Sequence, residues 1–313
     1  MMILHRLLPQ TPNFDFVGKR VIAFVITGLI ILASVISLGT RGLNLGIDFQ
    51  GGLLMEVRTQ ARADLGAMRN TLGDLSIGEV ALQELGEGGH EVLIRVQRQP
   101  GDERAQMAAL EKVRQALGQG VEYRRTELVG PKVGDELFFD GAMAMALSIF
   151  AIAVYVWFRF EWQYAIGAII ATLHDVVATV GLFSILGLEF NLNIVAAVLT
   201  IAGYSINDTV VEYDRVRENL RKYKQMPLID LLNLSANEMF ARTLITGGST
   251  LLAVLALYLL GGEVLSGFAF AIIFGVLIGT YSSIYVAMPI LYYFNLRSTV
   301  TKEEEPAKEE AAG

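Results

Sequence analysis

Residues 200–211 read Thr-Ile-Ala-Gly-Tyr-Ser-Ile-Asn-Asp-Thr-Val-Val, and they lie inside an apolar run that begins at Phe190. This stretch carries one carboxylate, Asp208, among hydroxyl and amide side chains. If the run crosses a bilayer, an ionised Asp208 costs about 2.5 to 3.5 kcal/mol even on the lenient insertion scale. Such a residue is neutral, is paired with a cation or contacts water. Each of these states indicates ion handling rather than simple anchoring.

The composition indicates an integral membrane protein. Of the 313 residues, 53% are hydrophobic and 18% are charged, and the mean hydropathy is +0.47. A soluble domain of this length carries more charge and fewer long apolar runs. Because the chain has no cysteine and only three scattered histidines, we predict no disulfide and no metal site. Residues 301–313 hold five Glu against two Lys, so the tail, residues 297–313, is predicted to be disordered.

Six apolar stretches are long enough to cross a bilayer. They contain no charged residue except Asp175 and Asp208. The predicted spans are residues 21–40, 141–158, 162–188, 190–211, 243–262 and 264–296. A segment of soluble composition, residues 41–136, separates the first span from the other five, which belong to residues 137–296.

Basic residues between the fourth and fifth spans orient the chain. They are Arg215, Arg217, Arg221, Lys222, Lys224 and Arg242. The loops at 187–190 and 261–266 contain no Lys or Arg. The positive-inside rule therefore predicts that residues 212–242 form a cytoplasmic loop and that both termini, residues 1–20 and the acidic tail, are cytoplasmic. The segment 41–136 is then periplasmic.

The segment 41–136 reads as alternating short strands and helices. Strands are predicted at 53–59, 77–85, 91–98 and 121–129, and helices at 64–75 and 102–117. The order βαββαβ predicts an α+β, ferredoxin-like domain between the first two transmembrane helices. It contains no nucleophile with a neighbouring base and no phosphate-binding loop, so we expect it to contact another macromolecule.

Two aspartates in the predicted spans, together with Arg242 just before the fifth span, form the candidate ion-coupling site. Rise per residue places Asp208 about 10 Å before Arg215, and Arg242 about 6 Å past Glu238, so Asp208 and Arg242 lie at similar depth in the inner half of the bilayer. Asp175 lies about 18 Å into the third span, close to the midplane. A carboxylate pair near an arginine suits a proton relay, because the cation favours the ionised form and burial favours the neutral one.

Simpler interpretations of these residues remain open. Arg242 alone is compatible with an interfacial anchor, and Asp208 with a static partner to it. His174 beside Asp175 is compatible with a hydrogen bond that only holds helices together. Small residues at a spacing of four in the last span predict close helix packing; they are Gly267, Ala271, Gly275, Gly279 and Ser283.

Several motifs resemble those of the SecD/SecF family of bacterial export proteins, within the resistance-nodulation-division (RND) superfamily. Residues 46–52, Gly-Ile-Asp-Phe-Gln-Gly-Gly, are similar to the family's Gly-x-Asp-Phe-x-Gly-Gly motif, and residues 129–134 to its second motif. Four further stretches resemble the SecF branch in order: residues 173–176, 203–209, 214–219 and 242–246. The short segment 41–136 favours the SecF branch over the SecD branch.

The resemblance implies an accessory subunit of the Sec protein translocase, not an enzyme, in the bacterial cytoplasmic (inner) membrane. It implies that SecD and the SecYEG channel are partners, allows auxiliary subunits of the YajC and YidC types, and makes an unfolded exported polypeptide the substrate. It also implies contact with membrane lipid and none with nucleic acid. The proton-motive force would drive late steps of export without a cofactor, and whether the coupling ion is H⁺ or Na⁺ is left open.

The resemblance also assigns roles to residues. Ion coupling falls on Asp208 and Arg242, with a less defined part for Asp175. The supporting residues are Tyr204, Asn207, Thr209, His174 and Thr246. A structural role at the exit from the first span is expected for Gly46, Asp48, Gly51 and Gly52.

Two other functions compete with this interpretation. An RND-type small-molecule exporter generally has a second large outer domain, whereas the corresponding loop here is only residues 187–190. An intramembrane aspartyl protease would use Asp175 and Asp208 as a dyad that shares one proton. The Gly-x-Gly-Asp signature of those enzymes is absent, and the two aspartates are predicted at different depths.

Overall fold

A computed structural model describes residues 12–86, 88–101, 103–294 and 296. The acidic tail expected at 297–313 and most of the N-terminal segment 1–20 lie outside the described residues. The chain forms two compact units. The first comprises Met1–Leu43, Met145–Leu188 and Ala196–Gly313, and the second comprises Asn44–Ala144 and Glu189–Val195.

Six helices within the described residues are long and apolar enough to cross a membrane, as predicted. They are α1 (Arg20–Thr40), α2 (Pro131–Arg159), α3 (Trp162–Leu186), α4 (Leu192–Lys222), α5 (Leu228–Leu260) and α6 (Glu263–Ser282). A π-helical turn, Ser283–Ala287, continues α6. Two short helical segments follow it, Met288–Ile290 and Leu291–Tyr293.

The segment 212–242 is mostly helical, which differs from the loop predicted there. Only residues 223–227 interrupt the helices α4 and α5. The reason is that the charged side chains beyond the apolar run find partners on the neighbouring helix. The Nε of Arg215 donates to Oε2 of Glu238 at 2.7 Å, and Nδ2 of Asn219 donates to the same oxygen at 2.7 Å.

Helix packing in the first unit is closest where one helix has a small residue. Helix α3 contacts α1 and α6, and α6 contacts α5. A β-carbon built on Gly181 would lie 2.2 Å from the Ser34 side chain, and one built on Gly275 would lie 2.2 Å from Cγ1 of Ile201. The glycines therefore let these helices approach at distances that no larger residue allows. In the apolar stretches of α2 and α5, few residues are fully buried within this chain.

The second unit contains a four-stranded antiparallel sheet. Its strands are β2 (Gly52–Thr59), β3 (Val80–Leu85), β4 (Glu91–Val96) and β5 (Val121–Val129), and their spatial order is β3-β4-β2-β5. Two helices, Leu65–Gly73 and Glu103–Leu117, connect β2 to β3 and β4 to β5. The order of four strands and two helices is the one that the sequence predicts.

One face of this sheet carries the core of the unit. Three opposed pairs across β2 and β4 are buried: Leu53 with Val96, Met55 with Ile94, and Val57 with Val92. These positions alternate along each strand, as a half-buried sheet requires. Leu72, Leu110 and Val113 of the two helices cover the pairs.

The glycine-rich motif precedes the sheet. A two-residue strand, β1 (Asn44–Leu45), pairs in parallel with β6 (Glu189–Phe190), and one helical turn, Ile47–Gln50, follows β1. Gly51 and Gly52 have φ angles of +71° and +129°. Glycine adopts these conformations readily, and a β-carbon at Gly52 would lie 2.6 Å from the Val96 carbonyl oxygen. The motif therefore sets the entry of the chain into β2.

Candidate functional site

Asp175 lies at the centre of α3 with no solvent exposure, and three helices contribute the groups that bind it. Its Oδ1 is 2.9 Å from Nδ1 of the neighbouring His174. Its Oδ2 accepts hydrogen bonds from Oγ of Ser205 on α4 at 2.5 Å and from Oγ of Ser282 at the end of α6 at 2.7 Å. The carboxyl thus joins α3, α4 and α6 through hydrogen bonds, which buried polar groups require.

Two features of this cluster allow rearrangement. The Ser282 hydroxyl also lies 3.1 Å from the carbonyl oxygen of Gly279, so it has an alternative acceptor. The Nε2 of His174 is buried and has no hydrogen-bond partner among the described residues. The cluster can therefore exchange one hydrogen bond for another without any helix moving far.

The π-helical turn after α6 lies beside the same part of α4. The hydroxyls of Thr209 and Ser283 are 2.9 Å apart, and the hydroxyl of Tyr213 donates to the carbonyl oxygen of Ala287 at 3.0 Å. A π turn shifts the register of the helix by one residue and occurs frequently at functional sites. Here two consecutive serines at the start of the turn bind different partners: Ser282 binds Asp175, and Ser283 binds Thr209.

Asp208 is half-buried on α4 and faces α5. Its Oδ1 accepts a hydrogen bond from Oγ1 of Thr243 at 3.3 Å. Arg242, the residue before Thr243, has an exposed side chain whose charge acts on the Asp208 carboxyl. Among the described residues no ion pair within 4.0 Å joins the two, and the ion pairs of α4 involve Asp214, Arg215, Arg217 and Glu218 instead. The side chain in direct contact with Asp208 is thus a hydroxyl and not the predicted guanidinium.

A second carboxyl, Glu212, follows Asp208 by one helical turn. Its side chain is only 1% exposed, and the Thr243 hydroxyl that binds Asp208 also interacts with it. The hydropathy pattern does not reveal Glu212, because the apolar run of the sequence ends at Val211. The signal that could have found it is the spacing of Ser205, Asp208 and Glu212, which places the three on one helical face.

The supporting residues fall into two groups. Thr209 and His174 take part in the buried contacts described above. Asn207 is exposed and Tyr204 is half-buried, while the Thr246 hydroxyl donates to the Arg242 carbonyl oxygen at 2.9 Å within its own helix. The structure therefore does not bring Asn207 or Thr246 into hydrogen-bonding contact with Asp208.

Asp175 and Asp208 occupy successive levels of the helix bundle. Asp175 binds Ser205, and Asp208 lies three residues further along α4, which is about 4.5 Å of helix rise. The oxygens of Asp175 are bound by His174 and two serines, whereas Asp208 binds Thr243. Two carboxyls with separate partners do not form the shared-proton dyad of an aspartyl protease.

The glycine-rich motif lies in the second unit and holds the start of α4. Oδ2 of Asp48 accepts a hydrogen bond from the backbone N–H of Leu192 at 3.0 Å. A carboxylate at a helix N-terminus binds an otherwise unsatisfied N–H group and is favoured by the helix dipole. A β-carbon at Gly46 would lie 2.6 Å from Oε1 of Glu189, so this glycine leaves room for the Glu189 side chain.

The described residues contain no group of three or more His, Asp or Glu side chains placed to bind a metal ion. The chemistry available at the site is therefore that of carboxyls, hydroxyls, an imidazole and a guanidinium.

Comparisons with known families agree with the motifs. Residues 109–297 match the model of the C-terminal region of the SecD/SecF protein export membrane proteins, and residues 36–61 match the SecD/SecF GG motif. A protein translocase subunit SecF from Rickettsia akari is 45% identical over 293 residues, which is 92% of this chain and 94% of the relative. One from Magnetococcus marinus is 45% identical over 305 residues, covering 96% and 98% of the two chains.

Solved structures give the same result. A crystal structure of SecDF from Thermus thermophilus, described as a translocon-associated membrane protein, superposes with a TM-score of 0.80 at 35% identity over 90% of this chain. SecDF in a super-membrane-facing form gives a TM-score of 0.66 at 34% identity over 96% of this chain. This chain spans 39% and 40% of those two longer chains.

Proposed function

Because this chain belongs to the SecD/SecF family of protein export membrane proteins, we propose that it is the SecF-type accessory subunit of a Sec translocase and that it couples the proton-motive force to late steps of export. The observation that carries the proposal is the position of Asp208. This carboxyl is half-buried in a helix long enough to cross a membrane, it accepts a hydrogen bond from the Thr243 hydroxyl, and the charge of Arg242, the residue before Thr243, acts on it.

These groups suit reversible protonation of Asp208. When Asp208 is ionised, the charge of the Arg242 guanidinium attracts it. When Asp208 is protonated, Arg242 is free to turn toward the exposed face of α5. Protonation therefore changes which contact α4 makes with α5, and this change can be passed to the rest of the protein.

The energies are of the size that such coupling needs. One elementary charge that moves through 100 mV releases about 2.3 kcal/mol. Alternative conformations of a protein commonly differ by about a few kcal/mol. Transfer of one proton is therefore enough to shift the population between two arrangements of the helices.

We propose a SecD-type protein as the partner. Two observations support it: the SecDF chains are more than twice as long as this one, and few residues in the apolar stretch of α5 are fully buried within this chain. A second membrane protein that covers α5 would enclose Arg242 and strengthen its attraction to Asp208. SecYEG and auxiliary subunits of the YajC and YidC types remain further proposed partners through the family.

The second unit is proposed to be a ferredoxin-like domain on the periplasmic side that meets the emerging polypeptide. The strand order β3-β4-β2-β5 and the helices between β2 and β3 and between β4 and β5 support this assignment. The basic residues at the α4–α5 end favour a cytoplasmic location for that end, and hence cytoplasmic termini in the bacterial inner membrane.

Export kinetics in vesicles test the proposal. The full chain is reconstituted with its SecD-type partner and the Sec channel, and a proton or a sodium gradient is imposed separately after ATP-driven export has started. We expect a proton gradient to accelerate the late phase. Asp208→Asn and Arg242→Ala should remove the acceleration, because each removes a charge from the pair, while helix content and membrane insertion stay normal.

The matched control is Asp214→Asn. Asp214 lies on the same helix, is partly exposed and pairs with Arg159 at 3.0 Å, so its replacement should leave the acceleration intact. Normal coupling in Asp208→Asn would contradict proton coupling at this site. Acceleration by sodium alone would assign the site to Na⁺.

The competing functions have less support. The connection between α3 and α4 is only residues 187–191, which leaves no room for the second outer domain of an RND exporter. An aspartyl protease is disfavoured by the separate hydrogen-bond partners of Asp175 and Asp208.

A further inference from the structure

Glu212 is a buried acid to which the proposed function assigns no role. It is 1% exposed on α4, and its Oε2 has no hydrogen-bond partner among the described residues. An ionised carboxyl in such a place is unfavourable unless a cation or a donor compensates it. Buried side-chain oxygens without a partner are exceptions in proteins, and each calls for an explanation such as a functional role.

Glu212 follows Asp208 by four residues, so the two side chains lie on the same face of α4, about 6 Å apart along the helix axis. The Thr243 hydroxyl on α5 interacts with both. It donates to Oδ1 of Asp208 at 3.3 Å and also interacts with the Glu212 side chain. A hydroxyl that can accept from one carboxyl while it donates to another completes a path for a proton.

We propose that Glu212 is a second proton-carrying residue, which exchanges a proton with Asp208 through the Thr243 hydroxyl and delivers it toward the Arg215 end of α4. This inference rests on the proposed proton coupling at Asp208.

The transfer conserves the number of protons and of O–H bonds. The protonated Asp208 gives its proton to the Thr243 oxygen while the Thr243 hydroxyl gives its own to Glu212. The O–H bond of Asp208 breaks and one on Glu212 forms, so Asp208 becomes ionised as Glu212 becomes neutral. Thr243 is unchanged at the end. Rotation of the Glu212 side chain toward the Arg215 end of α4 then brings its carboxyl to water, the water takes the proton, and Glu212 is ionised again.

The other titratable groups around Glu212 are engaged elsewhere. On its own helix, the Tyr213 hydroxyl donates to Ala287. On α5, Glu238 is bound by Arg215 and Asn219. In the π-helical turn, the Ser283 hydroxyl pairs with that of Thr209. On α3, His174 and Asp175 bind each other, and Asp175 also binds Ser205. Asp208 is therefore the carboxyl with which Glu212 exchanges a proton.

Proton flux into vesicles tests the proposal. The full chain with its SecD-type partner is reconstituted, a potential is imposed, and a pH-sensitive dye reports the flux. We expect Glu212→Gln to lower the flux about 100-fold, the lower end of the effect of removing a proton-transfer group. Glu212→Asp retains a titratable group and should recover part of the flux. Thr243→Val, which removes the hydroxyl at equal volume, should slow the flux, and Thr243→Ser should restore it.

The matched control is Glu218→Gln, because Glu218 is a more exposed acid on the same helix that pairs with Arg215. It should conduct as the unmodified protein does. Wild-type flux in Glu212→Gln together with loss of flux in Asp208→Asn would overturn the Glu212 proposal alone. No flux in the unmodified protein would overturn the proposed proton coupling and the relay with it.

Infrared spectroscopy gives a readout that a purely structural role would not change. The carboxyl band that disappears in Glu212→Gln should shift when the unmodified protein is moved from H₂O to D₂O, since a relay residue exchanges its proton with water. A Glu212 band that does not shift while bulk amides exchange would refute the relay, whatever the flux.

Discussion

Replacing Gly275 with alanine tests how closely α4 and α6 approach each other. A β-carbon at this position would lie 2.2 Å from Cγ1, 2.3 Å from Cδ1 and 2.8 Å from Cγ2 of Ile201. Favourable carbon–carbon contacts begin near 3.5 Å, so the new methyl group is about 1.3 Å too close. Rotation of the Ile201 side chain does not relieve the overlap, because both γ carbons branch from the same β-carbon and both are near.

The helices must therefore separate, and we expect Gly275→Ala to destabilise the protein by about 1–3 kcal/mol, the usual cost of overpacking. The matched control is one turn away on the same helix. A β-carbon at Gly279 would lie 3.4 Å from Cβ of Ser205 and 3.6 Å from Oδ2 of Asp175, which are ordinary contacts. Gly279→Ala should be close to neutral.

A second substitution distinguishes steric overlap from other causes. Ile201→Ala removes all three overlapping carbons, so it should recover stability in the Gly275→Ala background, with a coupling of about 0.5–3 kcal/mol in a double-mutant cycle. Ile201→Val keeps both γ carbons and should recover little. Reversible unfolding in detergent micelles, followed by far-UV circular dichroism, measures each variant. Equal stability of Gly275→Ala and Gly279→Ala, or equal rescue by Ile201→Val and Ile201→Ala, would refute this explanation.

Further predictions concern two hydrogen-bonded carboxyls. Asp48→Ala should lower the free energy of unfolding by about 1 kcal/mol, because it removes the acceptor of the Leu192 N–H at the start of α4. Asp48→Asn keeps an acceptor and should cost less. Unfolding in urea or detergent compares the two variants, and equal losses of stability would contradict the capping role. Ser205→Ala and Ser282→Ala each remove one donor to Asp175 and should each cost about 0.6 kcal/mol, with an upper value near 1.7. Both donors share Oδ2 of Asp175, so the stability loss of the double variant should differ from the sum of the two single losses. Strictly additive losses in the same unfolding assay would contradict the shared acceptor.

Much of the architecture could be predicted from the sequence, because it depends on composition within single segments. Each of the six membrane-length helices is an apolar run, and the two helices and four strands between α1 and α2 follow from local periodicity. Asp175 and Asp208 were identified for the same reason, since a charge inside an apolar run is visible without any structure. Motif spacing was enough to indicate the family.

Other features depended on which helices meet and how each is rotated. The carboxyl Glu212 lies past the end of the apolar run, and only the tertiary packing buries it and brings Thr243 of α5 to Asp208 on the same helix. The serines that bind Asp175 come from two other helices, and the π turn that sets the register of Ser282 and Ser283 has no counterpart in the hydropathy pattern.

The lengths of α4 and α5 also depend on contacts between helices and not on the local sequence alone. The charged sequence between residues 212 and 242 predicted a loop, yet hydrogen bonds of Arg215 and Asn219 to Glu238 hold two continuous helices there. Sequence alone determined which segments are apolar and which residues in them carry charge, because both are properties of single positions. The tertiary structure decided which of those polar groups meet, because contacts between helices depend on residues far apart in the chain.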